Sequence, residues 1–187
     1  PGFYAHTPEV VGLAAVAARY NGIYASHIRS ESDGLIASIA EAVEIGEKAN
    51  VRVEVAHVKL EGYQNWGVMD QVMTAIDDGV RRGVRLGFDQ YPYVACSSWL
   101  GCILPYWAQQ GGGKAVGQRI ADRATRSQLA RDFADNRADW DNRSGVREWS
   151  DILIVNCPNR REVQGLDVAQ IAKKDGKDPL ETAFDLI

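Results

Sequence analysis

The stretch from Gly22 to Val58, GIYASHIRSESDGLIASIAEAVEIGEKANVRVEVAHV, decides the fold. It opens on a run rich in β-branched and aromatic residues, Gly22 to Ile28, which reads as a strand. From near Ser32 and Asp33 the apolar residues Leu35, Ile36, Ile39 and Val43 recur at spacings that keep them on one helical face, and the pattern ends by Asn50. A second strand follows at once, Val51 to Val58. Strand, helix and strand in so short a span make a crossover unit of a parallel sheet.

The same alternation extends to both sides. Upstream, Thr7 as N-cap and Pro8 at the first helical position announce a helix that stops at Asn21-Gly22. Downstream, a polar loop from Lys59 to Asn65 leads to a third helix carrying Met69, Val72, Met73, Ile76 and Val80, closed by Gly83. A third strand is expected from Val84 to about Tyr93. Then the rhythm breaks. Residues 109–147 hold Gly111 to Gly113 and a polar stretch rich in Arg and Asp, with Trp140 and, just beyond, Trp149. They read as a partly helical insertion outside the sheet, packed down by its tryptophans. A fourth apolar run, Asp151 to Asn156, is expected to resume the strand pattern, followed by a helix from about Asp167 to Lys174 capped by Gly176. A last helix is opened by Asp178, Pro179 and Glu181.

Four strands are too few to close an eight-unit barrel, which typically takes about 250 residues. The pattern predicts either a small open sheet or a segment of a barrel. The first residue is Pro1 rather than Met, and the segment Pro179 to Ile187 has a start signal and no stop signal, so the chain reads as an internal piece of a longer one.

Composition narrows the function. The 187 residues are 45% hydrophobic and 25% charged, with 21 basic and 25 acidic side chains and a net charge of −4. That is an ordinary globular balance, with no basic stretch to neutralise phosphates, so nucleic acid is not an expected partner. No apolar run approaches the ~20 residues of a membrane span and no leader pattern is visible, which makes the cytoplasm the expected compartment. Cys96, Cys102 and Cys157 are an odd number in a chain that needs no staples, and read as reduced thiols.

Two of the three histidines occupy equivalent places. His27 and His57 each stand near the end of a strand, one strand-helix unit apart. Parallel strands end on the same rim, so both imidazoles are expected to project into one site, as zinc ligands would. The alternative is that each is a hydrogen-bonded core histidine. Arg29, Ser30 and Glu31 follow His27, and Lys59 lies two residues past His57, on its face if the strand continues. Such a lysine binds an anionic group, serves as a Schiff-base amine, or is simply a solvated loop residue. Asp89, Tyr91 and Tyr93 share a face by the period of two; Asp89 is expected to tie down a turn, and the phenol of Tyr91 can donate to a carbonyl oxygen.

Three runs then carry a resemblance: Tyr24-Ala25-Ser26-His27-Ile28-Arg29-Ser30-Glu31, Ala56-His57-Val58-Lys59, and Asp89-Gln90-Tyr91-Pro92-Tyr93-Val94-Ala95. In this order and at these separations they resemble the N-acyl-D-amino-acid deacylases, or D-aminoacylases, of the amidohydrolase superfamily. The opening Pro1-Gly2-Phe3-Tyr4-Ala5 and the segment Ile171 to Ile187 look like the same family, and the match is weakest over 109–147. The resemblance implies an α/β fold, a partial (β/α)₈ TIM barrel made of its middle units. The N-terminal strands, the last strand and a small β-domain would be absent. It implies zinc as cofactor, His27 and His57 as metal ligands, and Lys59, Tyr91 and, nearby, Ser97 as substrate-binding residues. The family's HxH pair and metal-binding cysteine would lie upstream and its catalytic aspartate beyond Ile187, so the chain alone is expected to be inactive. None of the three cysteines takes the metal-binding role. The expected reaction is zinc-dependent hydrolysis of an N-acyl-D-amino acid, a small-molecule substrate, to a carboxylate and a free D-amino acid.

Three other readings stay open. Another amidohydrolase, such as a cyclic-amide hydrolase, would share the rim histidines. A Schiff-base lyase would use Lys59 as its amine. A non-enzymatic domain would keep the histidines structural and bind a partner through the insertion.

Overall fold

The computed structural model describes residues 4–135 and 148–187, arranged as two compact units, Pro1–Ala95 and Cys96–Ile187. Pro1 to Phe3 and Trp140, with the rest of 136–147, lie outside the described residues.

The first unit is α/β. It runs α1 (Thr7–Arg19), β1 (Ile23–Ser26), α2 (Leu35–Ala49), β2 (Arg52–Val55), α3 (Met69–Arg81) and β3 (Leu86–Phe88). The three strands form a parallel sheet in the order β1-β2-β3, with Tyr24 opposite Val53 and Val55 opposite Phe88. The expected alternation and strand direction are therefore present. One sheet face holds Val53 and Val55, both fully buried against Leu35, Ile39, Val43, Val72 and Ile76 of the helices. The other face carries Ile23, Ala25, Arg52, Glu54 and Gly87, and Ile23 is 48% exposed. A sheet that buries one side only alternates in this way.

The helices end where their sequences stop them. In α2, Asn50 closes the last turn with φ 50°, its N–H reaching back to Glu47 and Gly46. Asparagine tolerates this left-handed position better than most residues. In α1 the expected cap shifts by one residue. His6 is the N-cap and Thr7 the first helical residue, because the Thr7 hydroxyl donates to Glu41 Oε1 at 2.7 Å instead of turning back on its own backbone.

The strands are shorter than the apolar runs. Strand β2 stops at Val55 rather than Val58, because the chain turns at His57, where φ is +42°. Strand β3 stops at Phe88 rather than Tyr93, because Asp89 is drawn into that same turn. The expectation that Lys59 shares the His57 face along a continuing strand fails for this reason.

The second unit is mainly helical: α4 (Tyr106–Gln109), α5 (Gly112–Ala121), α6 (Arg123–Asp135), α7 (Val168–Asp175) and α8 (Pro179–Leu186). Its core gathers Leu104, Val116, Leu129, Val163, Ile171 and Phe184. Trp149 packs on this core and stacks with Phe133 at 5.6 Å, as the packing reading of that tryptophan expects. The strand expected at Asp151 to Asn156 is not formed. Only Leu153 bridges, antiparallel to Asp167, while Ile152 and Ile154 exchange backbone hydrogen bonds with Gly165, Leu166 and Val168. That local loop satisfies the backbone groups a sheet neighbour would otherwise have to meet. The final helices follow the sequence signals closely. Asp167 and Gln170 form the capping box of α7, Gly176 its left-handed stop, and Asp178 Oδ1 accepts from the N–H groups of Leu180 and Glu181. No helix among the described residues is long and apolar enough to cross a membrane.

Candidate metal centre and substrate rim

The carboxyl ends of the three parallel strands define the site. His27 follows β1 directly, Ala56-His57 follows β2, and Asp89 follows β3. A main-chain bond from Ala56 N–H to Ser26 O at 2.9 Å ties the first two exits together, and one from Val58 N–H to Asp89 O at 2.9 Å ties the second to the third.

At this rim His27 Nδ1 and His57 Nε2 lie 3.1 Å apart, with ring centroids at 4.8 Å and the planes inclined by 62°. Two nitrogens bound to one tetrahedral zinc at 2.0–2.1 Å stand roughly 3.3 Å apart, so the pair has the spacing of a shared ion. His27 is exposed and His57 half-buried, which leaves one side of the pair open to a ligand. Glu31 joins them: His27, Glu31 and His57 each offer a ligand atom, all within 4.8 Å of one another. Two imidazole nitrogens backed by a carboxylate suit zinc.

Glu31 is a site residue that no motif or spacing singles out. It was legible only as one polar neighbour of His27. Yet its side chain is 4% exposed, and its Oε1 lies 2.9 Å from His57 Nδ1, 3.6 Å from His27 Nδ1 and in contact with Lys59 Nζ. A buried carboxylate needs such partners. The loop that holds it is itself fixed. Ser30 Oγ accepts from the N–H groups of Ser32 and Gly34, Ser38 Oγ accepts from Ser30 N–H, and Glu31 O accepts from Glu61 N–H at 2.8 Å.

Lys59 comes back to the rim despite the end of β2. Its Nζ lies 2.8 Å from His57 Nδ1 and 5.7 Å from the centre of the Tyr91 ring, a cation–π distance. Tyr91 in turn stacks on Tyr93 at 6.3 Å. Asp89 ties down the turn, as expected for it: its Oδ1 accepts the His57 N–H at 2.6 Å. So His27, His57, Lys59 and Tyr91 are brought together in the first unit. Ser97 falls in the second unit, where it is exposed. All three cysteines are thiols, with Cys157 buried in the second core.

Behind the rim, Arg29 ties the segment that leads into α1 to α2. Its Nε donates to Glu41 Oε2 at 2.6 Å and its Nη2 to Ala5 O at 2.6 Å. Burial pushes the Glu41 carboxyl up, but the Arg29 and Thr7 hydrogen bonds and the Arg29 charge outweigh it and hold the group below its ordinary value.

No family model matches the chain. Among curated proteins it is similar to the N-acyl-D-glutamate deacylase of Alcaligenes xylosoxydans xylosoxydans, 34% identical over 100 residues, and to the D-aminoacylase of the same organism, 32% identical over 100 residues. Each match covers 54% of this chain and 20% of the relative, so the matched part of the chain spans about a fifth of the length of these curated relatives. In three dimensions it is similar to the N-acyl-D-glutamate deacylase of Bordetella bronchiseptica, solved with zinc and a phosphonate inhibitor that mimics the tetrahedral intermediate of the reaction. That likeness has a TM-score of 0.71 at 27% identity and covers 100% of this chain and 31% of that one. A D-aminoacylase crystal structure shares the fold, with a TM-score of 0.66 at 22% identity over 99% of this chain and 31% of that one.

Proposed function

We infer that this chain, whose curated relatives are N-acyl-D-amino-acid deacylases, is the middle of a (β/α)₈ amidohydrolase barrel that hydrolyses the amide bond of N-acyl-D-amino acids. One observation carries the reading: two imidazoles from successive strand ends meet at 3.1 Å on one rim, beside a lysine and a tyrosine. The barrel assignment is supported by three strand-helix units in sequential parallel order, helices on one face, and a solved deacylase that superposes on the whole chain. In this reading residues 109–147 are an insertion.

His27 and His57 would hold zinc, which when bound polarises the scissile carbonyl and activates the attacking water. The other rim residues bind and orient. Lys59, a compact cation, would receive the substrate carboxylate. Tyr91, stacked on Tyr93, would place its ring against the same end of the ligand. Ser97 is proposed as a further hydrogen-bonding contact. The cytoplasm fits three cysteine thiols.

Lys59 serves the Schiff-base reading poorly. An imine-forming amine is activated in an apolar pocket or beside another cation, whereas Lys59 Nζ sits against the Glu31 carboxylate.

The test is zinc content by elemental analysis and deacylase activity on N-acetyl-D-amino acids, acidic and apolar, in the full-length protein. His27→Ala and His57→Ala are each expected to lower bound zinc and to cut activity by orders of magnitude. Retention of both zinc and activity in both variants overturns the metal assignment.

A further inference from the structure

We propose that Glu31 is a positioning residue: its carboxylate accepts the Nδ1–H of His57, which leaves Nε2 bare toward His27, and it draws the Lys59 ammonium away from that imidazole. The inference deepens the metal-site reading and rests on it, but it also makes a claim about the metal-free protein.

The argument starts from donor counting. A neutral imidazole carries one N–H and one bare nitrogen. His57 Nδ1 faces two competing partners, Glu31 Oε1 at 2.9 Å and Lys59 Nζ at 2.8 Å. They ask for opposite tautomers. An ammonium has hydrogens and no lone pair, so if Lys59 donates to Nδ1, the ring proton must sit on Nε2. That proton would point at His27 Nδ1, 3.1 Å away, and Nε2 could not ligate a metal. A carboxylate only accepts, so if Glu31 takes the Nδ1–H, Nε2 is left bare and aimed at the shared position. Metal-bound histidines are commonly oriented by a carboxylate on the distal nitrogen in this manner.

Glu31 can decide the contest because it also holds the competitor. Lys59 Nζ contacts the same Oε1, so its hydrogens are directed to the carboxylate rather than to Nδ1. The carboxylate is 4% exposed and its loop is pinned by Ser30, Ser38 and Glu61 N–H, so it is fixed in place before any ligand arrives. Burial strengthens each of these charge-assisted bonds relative to water.

The experiment uses the full-length protein and two readouts. The first is the His57 tautomer in the metal-free protein, read from side-chain ¹⁵N shifts by long-range ¹H–¹⁵N correlation. The second is zinc affinity, by competition with a chelator. The original protein is expected to show the Nδ1–H tautomer at His57. Glu31→Ala is expected to move it toward Nε2–H and to weaken zinc binding roughly 10- to 100-fold. Glu31→Asp, which keeps the charge, is expected to recover part of both. An unchanged tautomer together with zinc affinity within about twofold overturns the proposal. If Glu31→Ala does not fold, as judged by circular dichroism, Glu31→Met, which keeps the length of the side chain and removes its oxygen acceptors, carries the same test. The two readings fail separately. Zinc retained in both His27→Ala and His57→Ala sinks the metal site, while zinc lost there but kept in Glu31→Ala sinks only the role of Glu31.

Discussion

His57 shows how a single residue converts a strand end into a site. Its φ of +42° is in the left-handed region, which a non-glycine residue adopts at some cost. The turn is held by Asp89, whose Oδ1 accepts the His57 N–H at 2.6 Å while its own N–H donates to Val55 O at 3.2 Å. The backbone reversal swings the imidazole from the line of β2 toward His27, and brings Lys59 back over the rim. Asp89→Ala should therefore lower stability by about 1 kcal/mol, a modest figure because Asp89 is exposed, whereas Asp89→Asn, which keeps an oxygen acceptor, should lose less. Urea denaturation of the two variants checks this, and equal losses would contradict it. The sequence made His27, His57, Lys59 and Tyr91 visible as candidates. The turn that joins them was not visible, because its cause is a carboxylate thirty-two residues away.

Among the elements, α2 shows how closely a helix can approach the sheet. Leu35, Ile39, Ala42, Val43, Gly46 and Ala49 are buried along one stripe. The decisive position is Gly46: a Cβ there would stand 2.6 Å from Val53 Cγ2 of β2 and 2.7 Å from Val84 Cγ1 just before β3. Two effects compete in Gly46→Ala. Alanine favours a helix interior over glycine by about 1 kcal/mol, whereas overpacking a core costs roughly 1–3 kcal/mol. Because two side chains from the sheet would both have to give way, overpacking should win and the variant should melt lower. A higher melting temperature would show that the contact yields easily. The periodicity of α2 was legible in its sequence. The need for glycine at 46 was not, since it depends on what the strands place opposite it.

At the scale of the whole molecule, ion pairs tie segments together in both units. Arg126 joins α6 to Glu181 and Asp185 of α8, and Arg160 joins its loop to Asp175 at the end of α7. The carboxyls respond. Asp175 is held below its ordinary value by the Arg160 hydrogen bonds. Asp185 is pushed up by burial, but its Lys177 and Arg126 partners outweigh this and hold it low, as Arg29 and Thr7 do for Glu41. A depressed folded pKa means that the unfolded chain binds protons first. Stability is therefore fully present above the ordinary carboxylate range, roughly pH 4, and is lost as pH falls below it through the folded values. Circular dichroism melts should be flat in this contribution from about pH 7 to 5 and decline below about pH 4. The decline should be smaller in Arg126→Met, which removes a partner of Asp185. An equal decline in that variant would assign the acid sensitivity elsewhere.

What the sequence determined by itself was local and periodic: the alternation of helix and strand, the parallel crossovers, the caps at Asn50, Asp167, Gly176 and Asp178, and two histidines one unit apart. Those features follow from the spacing of apolar residues and from what short polar side chains and glycine do to their own backbone. Tertiary structure alone decided where β2 and β3 stop, that Asp151 to Asn156 bonds to its own loop rather than to the sheet, and that Glu31 is buried against His57 and Lys59. The strand stops and the burial of Glu31 depend on partners distant in sequence. A hydrogen bond or a buried charge is settled by whichever group occupies the space opposite, and no window of sequence contains that group.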